Sequence, residues 1–160
     1  MLACRPASVR TSRVDPEDAM TRVVVVDDHP FFRACLVALI NGTVDLQVVG
    51  ECADGADVVS AVEELSPDVV VMDVQMPHLS GLDAAVALRR QHEDVHVLFL
   101  TSAAAESSRA AARAGGAAGY LLKGSDPHLV LDAIRQVAGG ATLWPEEPAS
   151  APHAAAATAA

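Results

Sequence analysis

The chain of 160 residues is poor in aromatics, lysine and cysteine. Aromatics are 3% of the residues against 51% for all hydrophobic types, so the core has to be built from Val, Leu and Ala. No excess of basic residues is present. The formal net charge is −10, which argues against direct nucleic-acid binding, because neutralising phosphates needs a basic patch. Cys4, Cys35 and Cys52 are odd in number and lack metal-type spacing. Cys35 and Cys52 lie in apolar stretches and read as small core residues in a reducing cytoplasm. No apolar run reaches transmembrane length. Residues 1–20 lack the continuous apolar core of a secretory signal and hold Arg5, Arg10 and Arg13 without pattern. They read as a disordered extension or a misassigned start, with Met20 as the alternative first residue.

What is present begins with carboxylates at the ends of apolar runs. Asp27 and Asp28 follow Val23-Val24-Val25-Val26, and Asp73 follows Val69-Val70-Val71-Met72. Such runs read as strands buried on both faces, as in a parallel sheet. Parallel sheets bind ligands at the carboxyl ends of their strands. Three acids gathered there repel one another and should hold a small hard cation. The single lysine, Lys123, also follows an apolar run, Tyr120-Leu121-Leu122, whereas the other fixed cations are ten arginines. A compact ammonium suits one phosphate oxygen, where a guanidinium is a planar fork.

Strands are expected at 22–26, 46–52, 68–72, 95–100 and 118–122. Helical windows lie between them. The first carries Phe32, Cys35, Leu36, Leu39 and Ile40 at helical spacing and closes at Asn41-Gly42. The second, about 55–65, stops at Ser66-Pro67. The third, about 81–92, turns Leu82, Ala85 and Val86 inward. The fourth, about 105–114, has no large apolar residue. The fifth presents Val130, Ala133, Ile134, Val137 and Ala138 and ends at Gly139-Gly140. This alternation predicts an α/β, flavodoxin-like, doubly wound (βα)5 fold with five parallel strands in the order 2-1-3-4-5. The domain spans 21–143. From residue 144 to 160 the chain turns Pro- and Ala-rich and reads as a linker or tail.

In that order the first and third strands are neighbours, so Asp27, Asp28 and Asp73 converge, with Thr101 and Lys123 at the next two strand ends. A carboxylate nucleophile forming an acyl phosphate fits this set. Such transfer depends mainly on positioning and charge neutralisation.

Together VVVVDDHP, VVVMDVQMPHLSGLD, LFLTS and GAAGYLLKG resemble the receiver domain of two-component response regulators over roughly residues 21–144. DDHPFFR, VVGECADG and the terminal GG resemble the NarL/FixJ-type subgroup. The resemblance implies that Asp73 is the phosphoacceptor and that Mg²⁺ is the cofactor. Asp28 would bind Mg²⁺ directly, Asp27 largely through water, and the backbone carbonyl of Gln75 would complete the set with Asp73. Thr101 and Lys123 would contact the phosphoryl oxygens, and Tyr120 would be the switch aromatic. The implied partner is a sensor histidine kinase in the cytoplasm. The implied output is one such as transcription, with pairing of copies through the fourth/fifth or first/fifth helix faces. Neither direct nucleic-acid binding nor membrane contact is implied for this chain.

Plainer readings stand beside these. Asp73 as a cap for Ser80-Gly81, Thr101 as an ordinary strand end, and Tyr120 as a half-buried ring are three. His29 and His78 suggest a transition-metal site but lack helical ligand spacing and read as solvated loop residues. Leu129 and Leu131 are core edges or an exposed pairing stripe. Gly124 follows the lysine where many receivers carry a cis proline, so a cis bond here would cost about 2.5–4 kcal/mol. No basic helical segment follows Trp144. The expectation is therefore a single-domain regulator or one whose DNA-binding output domain lies outside this sequence. Two other functions compete. An aspartyl-phosphate phosphatase of the haloacid-dehalogenase class wants an acid two residues after the nucleophile, where Gln75 stands. A flavodoxin-like cofactor domain such as a cobalamin module wants Asp-x-His-x-x-Gly, and the run from Asp27 to Phe32 lacks the glycine.

Overall fold

Val23 to Val26 and Val69 to Met72 are all buried, because each of these strands lies between two others with helices over both faces. The computed structural model describes residues 5–6, 20–102 and 105–144. The strands are β1 (Arg5–Pro6), β2 (Thr21–Val26), β3 (Leu46–Cys52), β4 (Val69–Met72), β5 (His96–Thr101) and β6 (Gly119–Leu122). The helices are α1 (Pro30–Asn41), α2 (Val58–Leu65), α3 (Gly81–Gln91), α4 (Glu106–Ala114) and α5 (Pro127–Ala138). A 3-10 turn, Gly55–Asp57, leads into α2.

The sheet order is β1-β3-β2-β4-β5-β6, in which β3 to β6 and β2 are parallel. This is the expected order of five parallel strands. The addition is β1, which pairs antiparallel with β3 through Arg5 opposite Glu51 and Pro6 opposite Gly50. The other residues of 1–19, and the tail from 145 onward, lie outside the described residues. Side chains alternate along each strand, so two cores form. Val23, Val25, Val69, Val71, Leu98 and Leu100 meet Leu36 and Ile40 of α1 and Ile134 and Val137 of α5. Val24, Val26, Val70, Met72 and Phe99 meet Val58 and Val62 of α2 and Ala84, Ala85 and Leu88 of α3. Helix α4 buries only Ala112.

Two side-chain expectations change, and one left open is resolved. Val86 is exposed, because α3 turns Ala84, Ala85 and Leu88 to the sheet and Val86 falls off that stripe. Cys35 is exposed too, since α1 is anchored by Leu36 and Ile40; Cys52 is buried as expected. Leu131 is 7% exposed and belongs to the core, whereas Leu129 is 51% exposed. A chain segment after α5 also returns to the sheet. Leu143 bridges to Gly119 in parallel sense, accepts from the Tyr120 N–H at 3.1 Å, and donates to the Ala118 carbonyl at 2.7 Å. Among the described residues every peptide bond is trans, that between Lys123 and Gly124 included. No described helix is long and apolar enough to cross a membrane.

Candidate functional site

The register places the acids. Val26 pairs with Met72, and the Asp73 N–H donates to the Val26 carbonyl at 3.0 Å, so Asp27 and Asp73 leave adjacent strands side by side. Thr101 ends β5 opposite Leu122, and the Lys123 N–H donates to the Thr101 carbonyl at 2.9 Å. Asp27 and Asp73 are each 2% exposed, and Thr101 is fully buried. Lys123 Nζ donates to both carboxylates, at 2.6 Å to Asp27 Oδ2 and 2.7 Å to Asp73 Oδ2. The ammonium also lies 4.6 Å from the Phe32 ring centroid, which steadies it through the ring's negative face. Burial pulls the Lys123 pKa down, but hydrogen bonds and charge from Asp27 and Asp73 outweigh it and hold it above its ordinary value. The lysine thus stays charged throughout the physiological range.

One ammonium does not balance three carboxylates. Asp28 Oδ1 is shielded from solvent and accepts no hydrogen bond, an arrangement that costs free energy unless a further donor or cation meets it. One ligand atom from each of Asp27, Asp28, His29 and Asp73 can be placed within 4.8 Å of the others. The donor set is mostly carboxylate oxygen, which fits a hard divalent ion such as Mg²⁺. Gln75 is exposed and reaches the site through its backbone, its N–H lying 3.3 Å from Asp73 Oδ1. The side chains of His29 and His78 are largely exposed, but each turns Nδ1 to a carboxylate, His29 to Asp27 and Asp28 and His78 to Asp54.

Sequence reasoning missed the brace behind these loops. Asp54, in the ADG stretch after β3, is buried and its carboxylate accepts from the Ala56, His78 and Leu79 N–H groups at 2.9, 3.0 and 3.1 Å. It therefore ties the turn before α2 to the loop between β4 and α3. Burial raises its pKa, but those backbone donors and His78 more than compensate and hold it below the ordinary 3.8. A depressed carboxyl pKa stabilises the fold above the unfolded value, and this contribution disappears as pH falls through the folded pKa. Asp54→Ala is expected to cost about 2–4 kcal/mol by orphaning three N–H groups. It should also flatten the acid limb of stability below the ordinary carboxylate value. Urea melts of both proteins at neutral and acid pH measure this; an unchanged midpoint would remove Asp54 as a brace.

Tyr120 is buried, with its ring centroid 6.3 Å from that of Phe99. Burial raises the phenol pKa, Arg109 opposes this and Asp73 adds to it. Tyr120 floors an apolar groove of about 490 Å³ between α4, β6 and α5, with Leu122, Leu129, Leu143 and Trp144 on its walls. The Trp144 ring lies 5.5 Å beneath the Arg113 guanidinium.

Residues 23–135 match the response regulator receiver domain family. The chain is 39% identical over 131 residues to the nitrate/nitrite response regulator protein NarP of Escherichia coli, covering 82% of this chain and 61% of NarP. It is 39% identical over 121 residues to the response regulator GacA of Pseudomonas aeruginosa, covering 76% of this chain and 56% of GacA. It therefore spans less than two thirds of the length of these relatives. The signal receiver domain of NarL from Mycobacterium tuberculosis superposes with a TM-score of 0.74 at 34% identity, covering 76% of this chain and 98% of that one. With five parallel strands in the shared order and the acids and lysine gathered at their carboxyl ends, this chain belongs to the response regulator receiver domain family.

Proposed function

We propose that this chain is the phosphoacceptor of a two-component pathway in the cytoplasm, receiving a phosphoryl group from a sensor histidine kinase onto Asp73. The observation that carries this reading is the convergence of Asp27 and Asp73, both buried, on the single lysine at 2.6 and 2.7 Å. A carboxylate oxygen of Asp73 attacks phosphorus, the phosphorus–nitrogen bond to the donor histidine breaks, and an acyl phosphate forms. Lys123 moves from the carboxylates to a phosphoryl oxygen, and Thr101 donates its hydroxyl to another. Asp28, Asp73 and the Gln75 carbonyl would hold Mg²⁺ directly and Asp27 largely through water, and the ion would supply charge neutralisation for the transferring group. The signal then passes to an output such as transcription, with pairing of copies through the α4/α5 or α1/α5 faces. Leu131 is removed from any such face by its burial. Gln75, exposed and without an acid group, supports a receiver rather than a haloacid-dehalogenase phosphatase.

Acetyl phosphate with Mg²⁺ is expected to add one phosphoryl group to the intact chain, labile to base and prevented by EDTA. A base-stable or EDTA-indifferent product would overturn the assignment.

A further expectation concerns the output face. Helix α4 is held by a single buried alanine, so among the described helices it has the least packing to lose. Beryllofluoride with Mg²⁺ should alter amide exchange chiefly across residues 101–125, with β2, β3 and β4 little affected. A uniform change, or none with the mimic bound, would remove α4 and β6 from the switch.

A further inference from the structure

His29 occupies the N-cap position of α1 yet makes no side-chain capping bond. Its ring turns instead to the acids, with Nδ1 3.2 Å from Asp27 Oδ1 and 3.1 Å from Asp28 Oδ1. The second of these oxygens is the shielded one that accepts no hydrogen bond. The division of labour within the pocket is also uneven. Lys123 takes the Oδ2 atoms of Asp27 and Asp73, which leaves the Oδ1 side of the pocket facing the histidine. There, Asp27 Oδ1 accepts the His29 backbone N–H at 2.8 Å and Asp73 Oδ1 the Gln75 N–H at 3.3 Å.

We propose that His29 Nδ1 is a ligand of the cation pocket, making it a mixed nitrogen–oxygen site that holds Zn²⁺-class ions through the imidazole and Mg²⁺ through oxygens alone. This rests on the reading of Asp27, Asp28 and Asp73 as a cation site. Mg²⁺ prefers oxygen, keeps several waters and gains little from an imidazole. Zn²⁺ and its neighbours bind imidazole strongly. Greater affinity for Zn²⁺ does not by itself decide the matter, since carboxylates already favour it over Mg²⁺. The discriminating quantity is how much of the Zn²⁺ affinity depends on His29. The competing role is that of a placeholder: a ring N–H sitting where the ion goes, which the ion must displace.

The two roles give opposite results in one experiment on the full chain. Calorimetric titration with Zn²⁺ and, separately, Mg²⁺ compares the natural protein with His29→Ala. The side chain is exposed and caps nothing, so the variant is expected to fold. As a ligand, its loss should weaken Zn²⁺ binding by about tenfold or more while leaving Mg²⁺ within about twofold. Tighter Mg²⁺ binding in the variant would establish the placeholder and overturn the proposal, as would equal Zn²⁺ affinity. Nitrogen NMR of the histidine rings keeps other zinc-binding histidines apart: Zn²⁺ should shift the His29 ring, and Mg²⁺ should leave it near its starting position. If Mg²⁺ fails to shift Asp27, Asp28 and Asp73, the cation-site reading itself falls. If it shifts them while Zn²⁺ leaves the His29 ring unmoved, only the present proposal falls.

Discussion

Asp73→Asn is expected to lose all phosphoryl transfer from acetyl phosphate while remaining folded. The amide is nearly isosteric, so β4 and the buried site keep their shape. Lys123 Nζ retains its 2.6 Å contact with Asp27 Oδ2 and can still donate to the remaining amide oxygen. What disappears is the nucleophile: a neutral amide oxygen does not form an acyl phosphate under these conditions. Three neighbouring carboxylates become two, which lowers their mutual repulsion and offsets the loss of one ion pair with the lysine. The stability change should therefore stay within about 1 kcal/mol. Intact-mass measurement after incubation, together with a urea melt, separates chemistry from folding. Labelling that survives in a folded Asp73→Asn protein would place the nucleophile elsewhere and end the receiver mechanism.

Much of this site was legible because it is made by strand ends. A run of apolar residues stopping at a polar one marks the rim of a parallel sheet, and β2, β4, β5 and β6 all end that way at or beside Asp27, Asp73, Thr101 and Lys123. Register then follows from topology. The brace at Asp54 was harder to read, because its partners are backbone N–H groups 2, 24 and 25 residues away, and backbone groups carry no sequence signature. The same reason hid the return of Leu143 to β6, whose hydrogen bonds are all between main-chain atoms. The pairing of Arg5 and Pro6 with β3 rests on backbone as well. Misplaced side chains have another cause. On α1 and α3 the apolar positions exceed what one face can bury, so apolarity alone could not rank Cys35 below Leu36 or Val86 below Leu88. On α5 the excess fell the other way, with Leu131 inside and Leu129 out.

Gly81→Ala is expected to damage both the fold and the site, although alanine favours helix. Gly81 opens α3, and its N–H donates to the Val74 carbonyl at 2.9 Å, which seats the helix start directly against the strand end. A Cβ at this position would meet the backbone carbonyl oxygen of Asp73 and stand 3.0 Å from both the Asp73 carbonyl carbon and Phe99 Cε1. The obstacle is main chain, so no side-chain rotation relieves it. Either α3 moves off the sheet or the Asp73 peptide shifts, and the second route displaces the carboxylate from Lys123. The helix-propensity gain is at most about 1 kcal/mol. Overpacking against a fixed backbone costs about 3 kcal/mol or more, so the clash prevails. Net destabilisation of at least about 2 kcal/mol should accompany slower labelling of Asp73 by acetyl phosphate. Gly124→Ala supplies the contrast. Nothing lies within 4 Å of its added Cβ, so stability should change by no more than about 0.5 kcal/mol. Urea melts and labelling rates on the two variants test the claim. Equal behaviour of Gly81→Ala and Gly124→Ala would mean that α3 can retreat without disturbing Asp73, and that the close approach of helix to strand end plays no part in setting the carboxylate.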